Sequence, residues 1–325
     1  MAGKGQMQTC HCCQSDEVKK SGSYHNRNRV VQRFFCLRCG KSFSESQPLD
    51  GLRVDFKQAA QVVHLLCEGM GIRAISRFTN LDQKTVLRIL ESAGEKCAQL
   101  LDSKIRNVAV ESIQCDEMYS FVFCKEANNK QQLPGIGEQY TFLAVDRKSK
   151  LILSHRVGKR TPENTDVFIQ DVRQRVKPGC QLTTDGFMPY WPAVNAAFGQ
   201  DVHFAQQTKV YASAFPMPKR LRHELKPQGV KEVRTTIRTG NPDRALISTS
   251  HVERTNLSVR LFNRRYTRLT LGYSKVLENL KHSTALLIGF FNFCRVHSAH
   301  GMTPAQAAGL TDHAWTIGEL LETAV

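Results

Sequence analysis

The chain has 325 residues, 41% of them hydrophobic, which suffices for a sizeable core and excludes a disordered polyelectrolyte. Its formal net charge of +16 points to a polyanionic partner, nucleic acid before an anionic membrane. No stretch approaches about 20 consecutive apolar residues, so no membrane association is expected. Met1 to Gln8 is polar and lacks a signal-peptide core. A cytoplasmic, reducing location follows as the expectation, and the 11 cysteines then read as metal ligands or buried thiols rather than disulfides.

The first local signal is a doubled spacing. Cys10-His-Cys-Cys13 and Cys36-Leu-Arg-Cys39-Gly40 are Cys-x-x-Cys pairs separated by 22 residues. Each pair lets two thiolates of one tight turn face one ion, and two such turns complete a tetrahedral Zn2+ site. Cys12 competes with Cys10 or Cys13 for a ligand place, while His11 is a bystander. Gly22, Tyr24, Val30, Val31, Phe34 and Phe35 read as short strands around a polar turn at Asn26-Arg27-Asn28. This is a zinc ribbon over residues 1–47, whose folding the metal supports. Arg27, Arg29, Arg33, Arg38 and Lys41 make it basic and suited to phosphate contact.

After a linker at 47–54, residues 52–100 read as an all-helical domain. Phe56, Ala59, Ala60, Val63, Leu66 and Cys67 recur at helical spacing, and Gly69 suits a left-handed cap. Ile72, Ala74, Ile75 and Phe78 form a second short helix. Asp82 is a good N-cap for a third, through Ala93, with Val86, Ile89 and Leu90 inward. That order is a helix-turn-helix, and Gln83, Lys84 and Arg88 are the candidates for DNA contact. Residues 99–110 read as a connection.

Residues 108–310 read as an α/β domain with a mixed sheet, followed by a tail over 311–325. Strands are expected at Val110–Cys124, Tyr140–Asp146, Leu151–Val157 and Cys180–Thr184, and a helix opens at Thr161-Pro162. A fifth strand near Val202–Phe204 leads into a basic insertion at about 205–247, carrying Lys209, Lys219, Arg220, Arg222, Lys226, Lys231, Arg234, Arg238 and Arg244. Ser248–Leu269 reads as one helix with Val252, Val259, Phe262 and Tyr266 on one face, and Glu253, Arg260 and Arg264 on the other. Ser274–Arg295 is a further helix, apolar enough for core or dimer contact. His297 and His300 read as structural, and Thr303-Pro304 opens a short capped helix.

Three acids stand where carboxylates are out of place unless they serve a site. Asp116 lies in mid-strand, Asp185 follows the end of a buried strand and precedes Gly186, and Glu253 lies on a helix. Hard cations prefer such oxygen ligands, and two Mg2+ (or Mn2+) ions can clamp the oxygens of a phosphoryl displacement. Between Asp116 and Asp185 lie 68 residues, and between Asp185 and Glu253 lie 67, too many for spacing alone to show convergence. Glu117 is the rival to Asp116. Strand alternation sends the two to opposite faces, so only one is expected in the site. Asp146 reads as a turn acid.

Together these blocks resemble the bacterial insertion-sequence-one type of DDE transposase. The resemblance rests on Cys10/Cys13…Cys36/Cys39-Gly40, Gly71-Ile-Arg-Ala-Ile-Ser76 with Thr85-Val86, and Gln114-Cys-Asp116-Glu117. It continues through Thr184-Asp185-Gly186-Phe187 with Tyr190, His251-Val252-Glu253-Arg254-Thr-Asn256, and Phe291-Asn-Phe…His297…Thr303-Pro-Ala…Gly309. It covers nearly the whole chain, and residues 202–247 match least. It implies an RNase H-like catalytic fold and a metal-binding triad of Asp116, Asp185 and Glu253. Arg254, Arg260, Arg264, Arg265 and Arg268 are then expected beside phosphates. The activity implied is strand cleavage at element ends and attack of the freed 3′-hydroxyl on target DNA, by an oligomer that is at least a dimer on paired ends. A domesticated relative, acting only as a DNA-binding regulator, would carry the same outer modules and would not need the acids.

Overall fold

The computed structural model describes residues 10, 12–13, 15–26, 29–44, 52, 54–211 and 230–323. The chain divides into two compact units, Met1–Ala59 and Ala60–Val325. His11, Arg27, Lys219, Arg220, Arg222 and Lys226, all singled out above, lie outside the described residues.

In the first unit an antiparallel sheet is formed by β1 (Val18–Asn26), β2 (Arg29–Cys36) and β3 (Ser42–Ser44), in the order β1-β2-β3. The register pairs Val18 with Cys36, which puts the end of β2 beside the start of β1. Its apolar content is small. Val31, Phe34 and Cys36 are buried, and Phe34 stacks on Phe43 at 5.7 Å. So small a core cannot stabilise the unit alone, which leaves a structural role for the cysteines.

Helix α1 (Phe56–Cys67) is followed by α2 (Ile72–Thr79) and α3 (Gln83–Lys104). Gly69 adopts φ +76° after α1, and a Cβ there would come within 2.7 Å of the Leu261 carbonyl oxygen. Asn80 takes the left-handed conformation between α2 and α3, and the Asp82 side chain caps α3 by accepting from the Lys84 amide at 2.8 Å. Helix α3 does not stop near Ala93. It runs a further three turns because Cys97, Leu100 and Leu101 continue its buried stripe. Residues 99–104 are therefore helix, not connection. The far end is tied down by Arg175, whose Nη1 donates to the Leu101 carbonyl at 2.8 Å and whose Nε meets Asp171 at 2.7 Å.

The second sheet has six strands in the order β6-β5-β4-β7-β8-β9. Strands β4 (Ser112–Val122), β5 (Gly137–Asp146) and β6 (Ile152–Gly158) form an antiparallel meander. After α4 (Pro162–Arg175), β7 (Cys180–Thr184) returns parallel to β4; after α5 (Tyr190–Phe198), β8 (Val202–Tyr211) lies parallel to β7. The sheet is thus mixed and the architecture α/β, as the alternation of elements indicated. Helices cover both faces. Phe142 on β5 meets Phe168 of α4 on one, and Tyr266 bonds Thr141 of β5 at 2.7 Å on the other.

Two further segments differ from expectation. The expected 22-residue helix at 248–269 is α6 (Ser250–Phe262), ended by Asn263, whose side chain accepts from the Arg265 amide at 3.2 Å and from Ser283 Oγ at 3.0 Å. The basic insertion holds a strand, β9 (Val230–Thr239), antiparallel to β8. Helix α7 (Leu277–Phe293) is buried along most of its length. It meets α3 where a Cβ on Gly94 would fall 2.4 Å from the His282 carbonyl oxygen. Helix α8 (Pro304–Ala307) carries the Thr303–Gln306 capping box, and α9 (Ile317–Thr323) buries Leu320 and Leu321. Among the described residues no helix is long and apolar enough to cross a membrane.

Candidate metal centres

Four thiols converge in the first unit. Ligand atoms of Cys10, Cys13, Cys36 and Cys39 all lie within 4.8 Å of one another, with Cys10 to Cys39 and Cys13 to Cys36 at 3.6 Å between sulfurs. The Cys13 amide holds the Cys10 thiol down to about 6, against burial. The Lys41 amide lowers Cys39, but burial and the three neighbouring thiols push it up to about 12. Four sulfurs competing for protons in this way suit a tetrahedral cation such as Zn2+. Cys12, the rival ligand, is exposed and accepts from Lys41 Nζ at 3.1 Å instead.

The second cluster is made of oxygens and lies at the tip of β7. Parallel pairing ends at Cys115 with Thr184, so β4 runs on past the end of its neighbour. Asp185 occupies that end. Its Oδ1 accepts from the Phe187 amide at 2.9 Å, closing a tight turn. Gln206 of β8 staples the turn by donating to the carbonyls of Asp185 at 3.0 Å and Phe187 at 3.2 Å. Gly186 is needed for close approach: a Cβ there would lie 2.4 Å from Thr208 Oγ1.

One carboxylate oxygen each of Asp116, Glu117 and Asp185 falls within 4.8 Å of the other two. This corrects the expectation that only one of the adjacent acids could enter the site. Alternation does hold. Asp116 meets α6, accepting from Asn256 Nδ2 at 2.8 Å, and Glu117 lies on the side of Tyr190 in α5. But no strand separates the two faces beyond Thr184, so side chains from both reach Asp185.

The electrostatics are those of too many negative charges in too little water. Burial first, and then Asp185, push Asp116 up to about 6. The same two causes push Glu117, whose side chain is 2% exposed, up to about 8. Burial likewise raises Asp185. Glu117 Oε1 is buried and makes no hydrogen bond of regular geometry among the described residues; the buried Tyr190 hydroxyl beside it is in the same position. An oxygen-only donor set and unneutralised charge together fit a hard divalent cation.

Glu253 is close but differently engaged. Gln114 of β4 docks the start of α6 by accepting from the His251 and Val252 amides at 2.8 and 3.2 Å. That places Glu253 near enough to Asp116 and Asp185 to raise both. Its carboxylate does not join their cluster. Lys209 Nζ contacts both oxygens, with Oε2 at 2.6 Å, and Thr249 Oγ1 donates to Oε1 at 2.6 Å.

The basic candidates separate. Gln83, Lys84 and Arg88 share an exposed face of α3. Arg254, Arg264 and Arg268 are exposed, whereas Arg265 turns inward, donates to Ser274 Oγ at 2.9 Å and is pushed down to about 10 by burial. Arg260 feels Asp116, and its Nε is buried without a partner among the described residues. Asp146 is the expected turn acid, accepting from the Ser149 amide at 2.8 Å. His297 accepts from the Ala299 amide at 3.2 Å, a structural role. Arg160 and Gln206 carried no sequence signal of their own, because their partners are distant in the chain, whereas Asn256 is marked in the sequence only as part of the 251–256 block.

No family model matches the chain, and no curated protein matches it. Among solved structures it is similar to a chain in the cryo-EM structure of a piggyBac transposase synaptic complex with hairpin DNA, at 9% identity and a TM-score of 0.37. The match covers 82% of this chain and 68% of that one, and likeness at this level assigns neither fold nor function.

Proposed function

We propose that this protein is a DDE-type DNA transposase of the insertion-sequence-one type, with Asp116, Asp185 and Glu253 as the metal-binding acids. The observation that carries it is the convergence of Asp116 and Asp185, with 68 residues between them in sequence, beside the buried carboxylate of Glu117. An antiparallel meander followed by two helix-linked parallel strands supports an RNase H-like catalytic domain over 108–310. The four-cysteine cluster supports a zinc ribbon over 1–47. The α2-turn-α3 pair with its outward Gln83, Lys84 and Arg88 supports a helix-turn-helix over 52–100.

When bound, two Mg2+ or Mn2+ ions would offset charge on the attacking and leaving oxygens of the phosphodiester. Asp116 and Asp185 would hold them, with Glu117 as a fourth acid in reach and Glu253 available once it exchanges Lys209 for the ion. Asn256 orients Asp116, and the Gln206 staple fixes Asp185. Arg254, Arg260, Arg264 and Arg268 would contact the DNA backbone; Arg265, turned inward, would support the α6–α7 turn. Paired element ends would require at least two protomers.

The test is cleavage and strand transfer on duplex DNA carrying the element's own ends, with Mg2+ or Mn2+. Asp185→Ala and Glu253→Ala are expected to abolish both steps while leaving end binding intact. Full activity in either variant would remove the proposed site.

A further inference from the structure

We propose that Arg160 is a phosphate-contacting residue of this site, held on the acids until a metal ion displaces it. The inference rests on the reading of Asp116 and Asp185 as metal ligands. Arg160 lies between β6 and α4. Its Nη2 stands 3.4 Å from Asp185 Oδ2 and 3.5 Å from Glu117 Oε2. Both contacts are at the long limit of a hydrogen bond, so they are loose ion pairs. The guanidinium is held more closely by a ring, its carbon lying 3.9 Å from the Phe187 centroid. The neighbouring Lys159 is committed elsewhere, to Glu126 at 2.5 Å. Arg160 is therefore the one cation of this loop that faces the acids among the described residues.

The charge balance shows what must follow. One guanidinium cannot neutralise Asp116, Glu117 and Asp185 together. A divalent ion on those oxygens takes over the neutralisation, and the two loose pairs lose their attraction. The stacking on Phe187 is untouched by that exchange, so the guanidinium stays beside the site. Only one of its nitrogens is hydrogen-bonded among the described residues, which leaves most of a planar fork for an anion. A phosphodiester oxygen is the anion that fits such a fork in a metal-loaded nuclease-like site.

The experiment uses the zinc-loaded full-length protein and a plain duplex oligonucleotide. Dissociation constants are measured against salt, with and without Ca2+, for the wild type, R160Q and F187L. Each phosphate contact contributes a slope of about 0.9 in log K against log salt. R160Q is expected to flatten the slope by about that amount in Ca2+ and to leave it unchanged without the ion. F187L, which keeps the charge and removes the ring, is expected to weaken binding only in Ca2+, and it decides the matter if R160Q does not fold. Equal slopes for wild type and R160Q in Ca2+, or equal flattening with and without the ion, overturn the proposal, as does unchanged binding by F187L. Ca2+ titration of the DNA-free protein separates the two levels. R160Q should bind the ion more tightly than wild type and D185N more weakly. Undiminished binding by D185N would remove the metal centre itself, and with it both readings.

Discussion

Glu117 offers a sharp test of the acidic cluster, because its perturbation is large and its sign is unusual. Its folded-state value is raised from 4.5 to about 8, by burial first and by Asp185 second. Below pH 4.5 the group is protonated in both states and contributes nothing to pH dependence. Between pH 4.5 and 8 the unfolded chain has released the proton and the folded chain retains it. The contribution of Glu117 to stability without divalent metal therefore falls as pH rises through this window and levels off above it, while His155, pushed down by burial from 6.5 to about 4, opposes the fall below about pH 6.5. Each pH unit in the window costs about 1.4 kcal/mol, so the total loss is on the order of 3–5 kcal/mol. Asp116, raised to about 6, adds in the same direction over the lower part. Glu117→Gln removes the titrating group and should abolish most of the fall above about pH 6. The assay is urea unfolding of the zinc-loaded, magnesium-free protein, followed by tryptophan fluorescence. Both tryptophans, Trp191 and Trp315, lie in the unit that holds the acids. Addition of Mg2+ should reverse the trend in the wild type, because the ion favours the ionised carboxylates. A wild-type stability that rises from about pH 5 to 8 without metal, or a Glu117→Gln variant with the same pH profile, would refute this account of the cluster.

Three further outcomes are expected. Cys39→Ser should lose the bound equivalent of zinc, while Cys12→Ser should retain it; zinc release read with a chromogenic chelator decides, and loss in the Cys12 variant would contradict the ligand set. Gly94→Ala would place a Cβ 2.4 Å from the His282 carbonyl oxygen and 2.6 Å from its Cα. That overpacking should cost about 1–3 kcal/mol or more in the urea midpoint, and an unchanged midpoint would mean that α3 and α7 do not meet as described. Asp82→Ala removes the cap on α3 and should cost about 1 kcal/mol, with the conservative Asp82→Asn keeping most of the stability.

Sequence carries the strands and caps well where the signal is local. Asp185 follows five buried residues and precedes a glycine, so a strand end delivering a carboxylate could be read directly. The doubled cysteine spacing, the Asp82 cap and the Thr161-Pro162 helix start are equally local. What failed was set by neighbours. Alternation correctly put Asp116 and Glu117 on opposite faces, yet β7 stops beside Cys115, and a strand's length relative to its neighbour is not written in its own residues. Strand β9 is exposed along nearly all of Val230–Thr239 and lacks the half-buried alternation that marks a strand. The break at Asn263 depends on Ser283, twenty positions on. Arg160 became visible only once Phe187, Glu117 and Asp185 stood around it.

The central claim is that the acids at the tip of β7 form a divalent-metal centre. Anomalous scattering from crystals of the protein soaked in Mn2+ tests it most directly. The account predicts a manganese peak liganded by Asp116 and Asp185, with Arg160 withdrawn from Asp185, and none at that place in Asp185→Asn crystals. Soaked wild-type crystals with no peak between Asp116 and Asp185, and Arg160 still bridging Glu117 and Asp185, would contradict it.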